Sequence, residues 1–157
     1  LINASTGRKT LARASNTPGR TQEINFFALG AARYLVDLPG YGYAEAPLAV
    51  VAKWQALLRD YLAGRQTLRR AFVLIDMRHG VKAVDREILA LLDRSAVTFQ
   101  VVLTKADKVS QTVRDETIAQ VQGALAQHPA AYPEIVVTSS EKGEGVETLR
   151  AIIATLV

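Results

Sequence analysis

Apolar residues fall along this chain at two periods. Short runs of strand length occupy 24–29 (Ile24-Asn25-Phe26-Phe27-Ala28-Leu29), 34–37, 71–76, 99–104 and 135–138. The last three are unbroken apolar segments closing on Asp76, Thr104 and Thr138, the pattern of strands buried on both faces of a parallel sheet. Between them, stretches at 48–63, 84–94, 112–127 and 146–156 repeat every three to four residues, with Ile88, Leu91 and Leu92 on one helical face. Gly30-Ala31-Ala32 is too short for a helical crossover, so the first two strands are predicted to form an antiparallel hairpin. The layout is α/β, a mostly parallel sheet with one antiparallel strand, covered by helices. No internal repeat, low-complexity tract or linker divides it, so residues 1–157 read as one domain.

Composition changes this picture little. Hydrophobic residues make up 49% and charged residues 22%, the balance of a globular domain rather than a disordered one. No run approaches the roughly 20 apolar residues that span a bilayer, and Leu1-Ile2-Asn3-Ala4 lacks the charged-then-apolar order of a signal peptide, so a cytoplasmic location and no membrane partner are expected. The absence of cysteine and the two isolated histidines, His79 and His128, leave oxygen as the expected ligand of any metal. A net charge of +4 permits a polyanionic partner, with basic residues gathered at Arg65, Arg69 and Arg70 and across 8–20. A solvated surface explains the same residues.

In an open α/β sheet, ligands bind outside the carboxyl ends of the strands, so the residues following each strand carry the chemistry. After the second comes Asp37-Leu38-Pro39-Gly40. A carboxylate there suits Mg²⁺, which keeps several waters and takes few protein carboxylates, and Gly40 lets backbone approach a phosphate. Taken alone, Pro39-Gly40 is an ordinary turn. After the fourth comes Thr104-Lys105-Ala106-Asp107. The Asp107 carboxylate can accept hydrogen bonds from N1–H and the exocyclic amine of guanine, donors that adenine does not offer in that arrangement, while the Lys105 stem can lie along the base with its ammonium reaching backbone or ribose oxygens. The competing reading is a surface Lys-Asp pair. After the fifth, Thr138-Ser139-Ser140 can present backbone N–H groups to guanine O6, with Lys142-Gly143 closing the loop; singly, two serines before a helix read as a cap. Upstream, the polar loop 15–21 ends on Thr21, a candidate second oxygen ligand to Mg²⁺.

Together Asn16-Thr17-Pro18-Gly19-Arg20-Thr21-Gln22, Asp37-Leu38-Pro39-Gly40-Tyr41-Gly42-Tyr43-Ala44, Arg78-His79 after Asp76, and Thr104-Lys105-Ala106-Asp107 resemble the EngB/YihA/YsxC group of ribosome-assembly GTPases. The resemblance runs over the whole chain. It implies a Ras-like P-loop GTPase fold, a three-layer sandwich, and a GTP-binding protein that uses Mg²⁺, acts in assembly of the large ribosomal subunit and is needed for normal cell division. Carried over residue by residue, it implies that Gly19, Arg20, Thr21, Gln22 and Glu23 form a first switch, with Thr21 on Mg²⁺. Asp37, Leu38, Pro39 and Gly40 are the phosphate and Mg²⁺ segment, with Asp37 on the metal; Thr104, Lys105, Ala106 and Asp107 read guanine; Thr138, Ser139 and Ser140 close over it. Tyr41 stands where Ras-type proteins place a water-orienting glutamine, so slow hydrolysis is expected, with water ordered by backbone groups, a bound monovalent cation such as K⁺, or the ribosomal partner.

Family members carry a strand and a glycine-rich phosphate loop immediately before the residues corresponding to Leu1 to Ala4. In the Ras-like order that strand lies centrally, so a chain lacking it is expected to show a slot in the sheet flanked by unpaired backbone groups, to fold poorly alone, and to be inactive toward nucleotide. A longer parent protein is therefore expected, acting as a monomer. Two other readings use the same residues: a nucleotide-independent RNA- or ribosome-binding module built on Arg65, Arg69 and Arg70, and a structural α/β domain whose motifs are only loops.

Overall fold

β-Branched and apolar runs form strands where both faces can be covered, and the amphipathic stretches between them lie over those faces. The computed structural model describes residues 1–7, 24–31, 33–38, 40, 56–62 and 65–156. Residues 8–23, Pro39, Tyr41, Tyr43 and Trp54 lie outside the described residues, and with them the first switch, Thr21, the basic stretch 8–20 and most of the first predicted long helix.

The order is α1 (Ile2–Thr6), β1 (Asn25–Leu29), β2 (Arg33–Asp37), β3 (Ala71–Asp76), α3 (Ala83–Arg94), β4 (Phe99–Thr104), a 3₁₀ turn (Ala106–Lys108), α4 (Gln111–Leu125), β5 (Val136–Val137) and α5 (Val146–Thr155), with residues 56–62 helical between β2 and β3 and called α2. β1 and β2 pair antiparallel, Asn25 opposite Asp37 and Leu29 opposite Arg33, as the short Gly30 connection requires. β3 and β4 pair parallel over their full length, so Asp76 and Thr104 end side by side. β4 pairs parallel with β5.

The described strands make two sheets, β1-β2 and β3-β4-β5, with no ladder between β2 and β3. That break falls where the resemblance expects a central strand. On one face of β3-β4-β5, Val73, Ile75, Val101 and Leu103 meet Leu58 and Leu62 of α2, Ile88, Leu89 and Leu92 of α3, and Val121 and Leu125 of α4. On the other, Val102 and Val136 meet Leu149, Ile152 and Ile153 of α5. The result is a helix-sheet-helix arrangement.

β4 is enclosed along its length, as expected, but β3 is not buried on both faces: Leu74 is 46% exposed. β3 is an edge strand of its sheet, and Leu74 packs into neither hydrophobic cluster. Helix ends follow local chemistry. Asp85 accepts the Lys82 N–H at the start of α3, and Ser110 accepts the Val113 N–H at the start of α4. Among the described residues, no helix is long and apolar enough to cross a membrane.

Candidate functional site

The ends of β3, β4 and β5 bring three loops together. Lys105, the residue after β4, adopts a left-handed backbone (φ 60°, ψ 36°) and turns the chain into the 3₁₀ turn that carries Asp107. One Asp107 oxygen accepts the Ser139 hydroxyl at 2.6 Å, and the other meets the Lys108 ammonium at 3.0 Å. The Ser139 hydroxyl in turn accepts the Lys142 N–H at 3.1 Å, so one serine ties the carboxylate to the tip of the following loop. The Ser139 hydrogen bond and then Lys108 hold the Asp107 carboxyl down to about 2, an ionised acceptor across the neutral range. Its side chain is 4% exposed, because Lys108 lies over it and reaches Glu141 at 2.6 Å.

Thr138 and Ser139 are fully buried, and their backbone N–H groups are already committed, to Leu103 O at 2.7 Å and Glu144 O at 2.9 Å. Of the N–H groups that Thr138-Ser139-Ser140 could present to guanine O6, the first two are thus taken up within the fold, which leaves that of the exposed Ser140. Nor are the serines helix caps. α5 begins at Val146 behind Gly145, with no side-chain cap. Gly145 has φ 69°, and a β-carbon there would lie 1.9 Å from the Val137 carbonyl oxygen, so only glycine lets the loop return against β5.

Lys105 departs from expectation. Its ammonium sits 2.9 Å from Asp76, not on backbone oxygens, and the Lys-Asp surface pair involving Asp107 is made by Lys108 instead. Asp76 also receives the Arg78 guanidinium through both oxygens, at 3.0 and 2.7 Å, and the Arg78 N–H at 3.0 Å. Arg78, with help from Lys105, holds the Asp76 carboxyl well below the usual carboxylate range. Thr104 donates its hydroxyl to Ile75 O at 3.3 Å, locking β4 to β3 at this end. Ala106 is fully buried and donates its N–H to Thr138 O at 3.1 Å.

Asp37 ends β2, Leu38 packs on the main core, and Gly40 is exposed. Burial pushes the Asp37 carboxyl up, the state a nearby cation would reverse. Of the basic residues at 65–70, Arg65 lies over the rings of Phe26 and Tyr61 (4.8 and 4.9 Å) and Arg70 over Tyr132 (3.9 Å) while bonding Gln100, leaving Arg69 exposed. Lys108, Arg114, Glu144 and Gly145 also build the site, without belonging to any of the motifs that the sequence shows. A glycine two residues after Gly143, directly before an apolar helix, is the signal that could have found the last.

Residues 1–105 match the family described as "50S ribosome-binding GTPase", and residues 58–157 that described as "Elongation factor Tu GTP binding domain". Over 156 residues the chain is 78% identical to the "Probable GTP-binding protein EngB" of Cereibacter sphaeroides, covering 99% of this chain and 72% of that protein. The chain belongs to the EngB family. The protein of the same name from Rhodospirillum rubrum is 53% identical, with 99% and 70% covered. Among solved structures, one described as "a probable GTP-binding protein engB" superposes with a TM-score of 0.77 at 20% identity, covering 99% of this chain and 89% of that one. Era, solved with MgGDPNP and nucleotides of 16S ribosomal RNA, superposes at 0.73 and 19% identity, covering 99% and 51%. At these identities the likenesses speak to fold: this EngB-family chain has the α/β architecture of the P-loop GTPases, a mostly parallel sheet with an antiparallel pair.

Proposed function

We propose that the protein is a GTP- and GDP-binding switch with slow intrinsic hydrolysis, working in the cytoplasm as a monomer on the large ribosomal subunit or its RNA during subunit assembly and so serving normal cell division. The observation that carries the reading is Asp107. A carboxylate offers about four lone-pair sites. Ser139 and Lys108 occupy two, one on each oxygen, and the remaining two match the paired donors on the Watson–Crick edge of guanine. Docking a base moves the half-exposed Lys108 aside, while the buried Ser139 contact keeps the acceptor aimed. Ser140 supplies a backbone N–H for O6, and the Lys105 stem, anchored at Asp76, flanks the base.

Toward the phosphates, the reading assigns Asp37 to Gly40 and, outside the described residues, Gly19 to Glu23. Asp37 and Thr21 are an all-oxygen donor set suited to Mg²⁺, and the carboxyl whose charge burial disfavours is the one a cation would keep ionised. Mg²⁺ would neutralise charge on the phosphate oxygens; Asp37 would orient it through its water shell. The ribosomal part of the reading is supported by the family description and by the exposed, basic character of Arg69.

Titration of the full-length protein tests the reading. GDP and GTP bind and ATP does not, and Asp107→Ala abolishes the preference. Equal binding of ATP, or guanine preference intact in Asp107→Ala, would overturn it.

A further inference from the structure

Arg114 stands in the first turn of α4, where the helix dipole disfavours a cation, so its own helix gains nothing from the charge. Its guanidinium is turned instead onto the two loops beside Asp107. Nε and Nη2 both donate to the Ala106 carbonyl, at 3.0 and 2.8 Å, and Nη1 and Nη2 form a fork on the Glu144 carboxylate, at 2.7 and 3.1 Å. Ala106 immediately precedes Asp107, and the Glu144 carbonyl accepts the Ser139 N–H at 2.9 Å. Each end of the bridge is therefore one step from a member of the Asp107-Ser139 pair.

The guanidinium is mostly enclosed, and its planar set of donors is the feature used: the Nε–Nη2 edge points at one carbonyl while the adjoining Nη1–Nη2 edge holds both oxygens of a carboxylate. An ammonium cannot span both. Without the bridge, the 3₁₀ turn and the 139–144 loop keep the Ala106–Thr138 backbone bond, the Ser139–Asp107 contact and the exposed Lys108–Glu141 ion pair, none of which fixes the angle between them as the planar guanidinium does.

We propose that Arg114 is a positioning residue that determines base specificity: it holds Asp107 and the closing loop in the register at which the carboxylate accepts both guanine donors at once. This rests on the guanine reading given above. It separates two effects that ordinary structural damage does not. A base with both donors needs the carboxylate aimed in plane, whereas inosine, which lacks the exocyclic amine, makes one bond and tolerates rotation. Losing Arg114 therefore costs guanine more than hypoxanthine.

The test is the dissociation constant of GDP and of IDP for the full-length protein and for Arg114→Lys, Arg114→Ala and Glu144→Ala, with unfolding midpoints measured in parallel. The GDP-over-IDP preference falls about tenfold in each Arg114 variant, the order of one misaligned hydrogen bond to a charged acceptor, and the double variant Arg114→Ala, Glu144→Ala falls no further than Arg114→Ala alone. If Arg114→Ala does not fold, Arg114→Lys, which keeps the charge, carries the comparison. A preference unchanged in the Arg114 variants, or both nucleotides weakened by the same factor, overturns the proposal. A wild-type protein that binds GDP no better than ATP instead overturns the reading beneath it.

Discussion

Alanine at Gly145 and alanine at Gly143 separate a conformational cost from a steric one. Both glycines are left-handed, φ 69° and 75°, so each substitution carries the same backbone penalty. That shared cost is about 1 kcal/mol. A β-carbon on Gly143 meets nothing within 4 Å, whereas one on Gly145 lies 1.9 Å from the Val137 carbonyl oxygen. Opening that gap to 3.0 Å, the nearest approach real β-carbons make, takes a shift of 3.0 − 1.9 = 1.1 Å between β5 and the start of α5. Such a shift breaks or stretches the Ser139 N–H bond to Glu144 O and the Leu149 N–H bond to Gly145 O, 2.9 and 3.0 Å in length. At about 1 kcal/mol for each bond, Gly145→Ala destabilises by about 3 kcal/mol and Gly143→Ala by about 1 kcal/mol. Urea unfolding of the full-length variants, followed by far-ultraviolet circular dichroism, measures the difference. A gap below about 0.5 kcal/mol, the usual range of unremarkable surface changes, would refute the close approach of this loop to β5.

Three other outcomes follow from the same geometry. Because the folded Asp107 carboxyl titrates at about 2, below its ordinary 3.8, its stabilising contribution is complete above pH 3.8 and is lost as pH falls toward 2; acid unfolding of Asp107→Asn is correspondingly shallower across that window than wild type, and identical profiles would contradict the contact with Ser139. Asp76→Asn removes the charge and one of the two acceptor oxygens shared by Arg78 and Lys105; at exposed pairs this costs about 1 kcal/mol or less in urea unfolding, yet it loosens Lys105, so GDP affinity falls while stability hardly moves, and unchanged affinity would detach Asp76 from the base site. Leu89→Ala empties a fully buried position on α3 and lowers stability by about 2–5 kcal/mol, a loss below about 1 kcal/mol arguing against the α3 packing.

The strands at 71–76 and 99–104 were legible to the residue because each is an apolar run, interrupted in the second only by Gln100, that ends on a polar side chain, and the parallel register then sets Asp76 beside Thr104. The fifth strand shrinks from 135–138 to Val136–Val137, although the Thr138 N–H still bonds Leu103 O, so the loss is one of ladder regularity rather than of contact. α1 escaped notice because five residues show no helical period. It is held from outside, by Arg150 donating to Ala4 O and Ser5 O. The described strands form two separate sheets, β1-β2 and β3-β4-β5, and Leu74 of β3 is exposed because an apolar run does not say how much helix will cover it.

At the site, residue types were legible and partnerships were not. Asp107 and Ser139 stand out in sequence because each follows a strand, yet they are 32 residues apart and their hydrogen bond depends on β4 and β5 being neighbours. For Lys105 the local sequence points only to backbone or ribose oxygens, since nothing in it shows that Asp76, from another strand, ends within reach. Arg114 looks in sequence like any charged residue at a helix start. Only the fold turns it toward Ala106 and Glu144.

The central claim is that the Asp107 carboxylate reads guanine, and exchanging its chemistry tests this most directly. Asp107→Asn replaces one acceptor oxygen by an amide donor, which suits xanthine, whose C2 carries a carbonyl where guanine carries an amine. Competitive titration of the full-length protein with GDP and XDP should show the wild type preferring GDP and the variant preferring XDP. A variant that still prefers GDP would contradict the account.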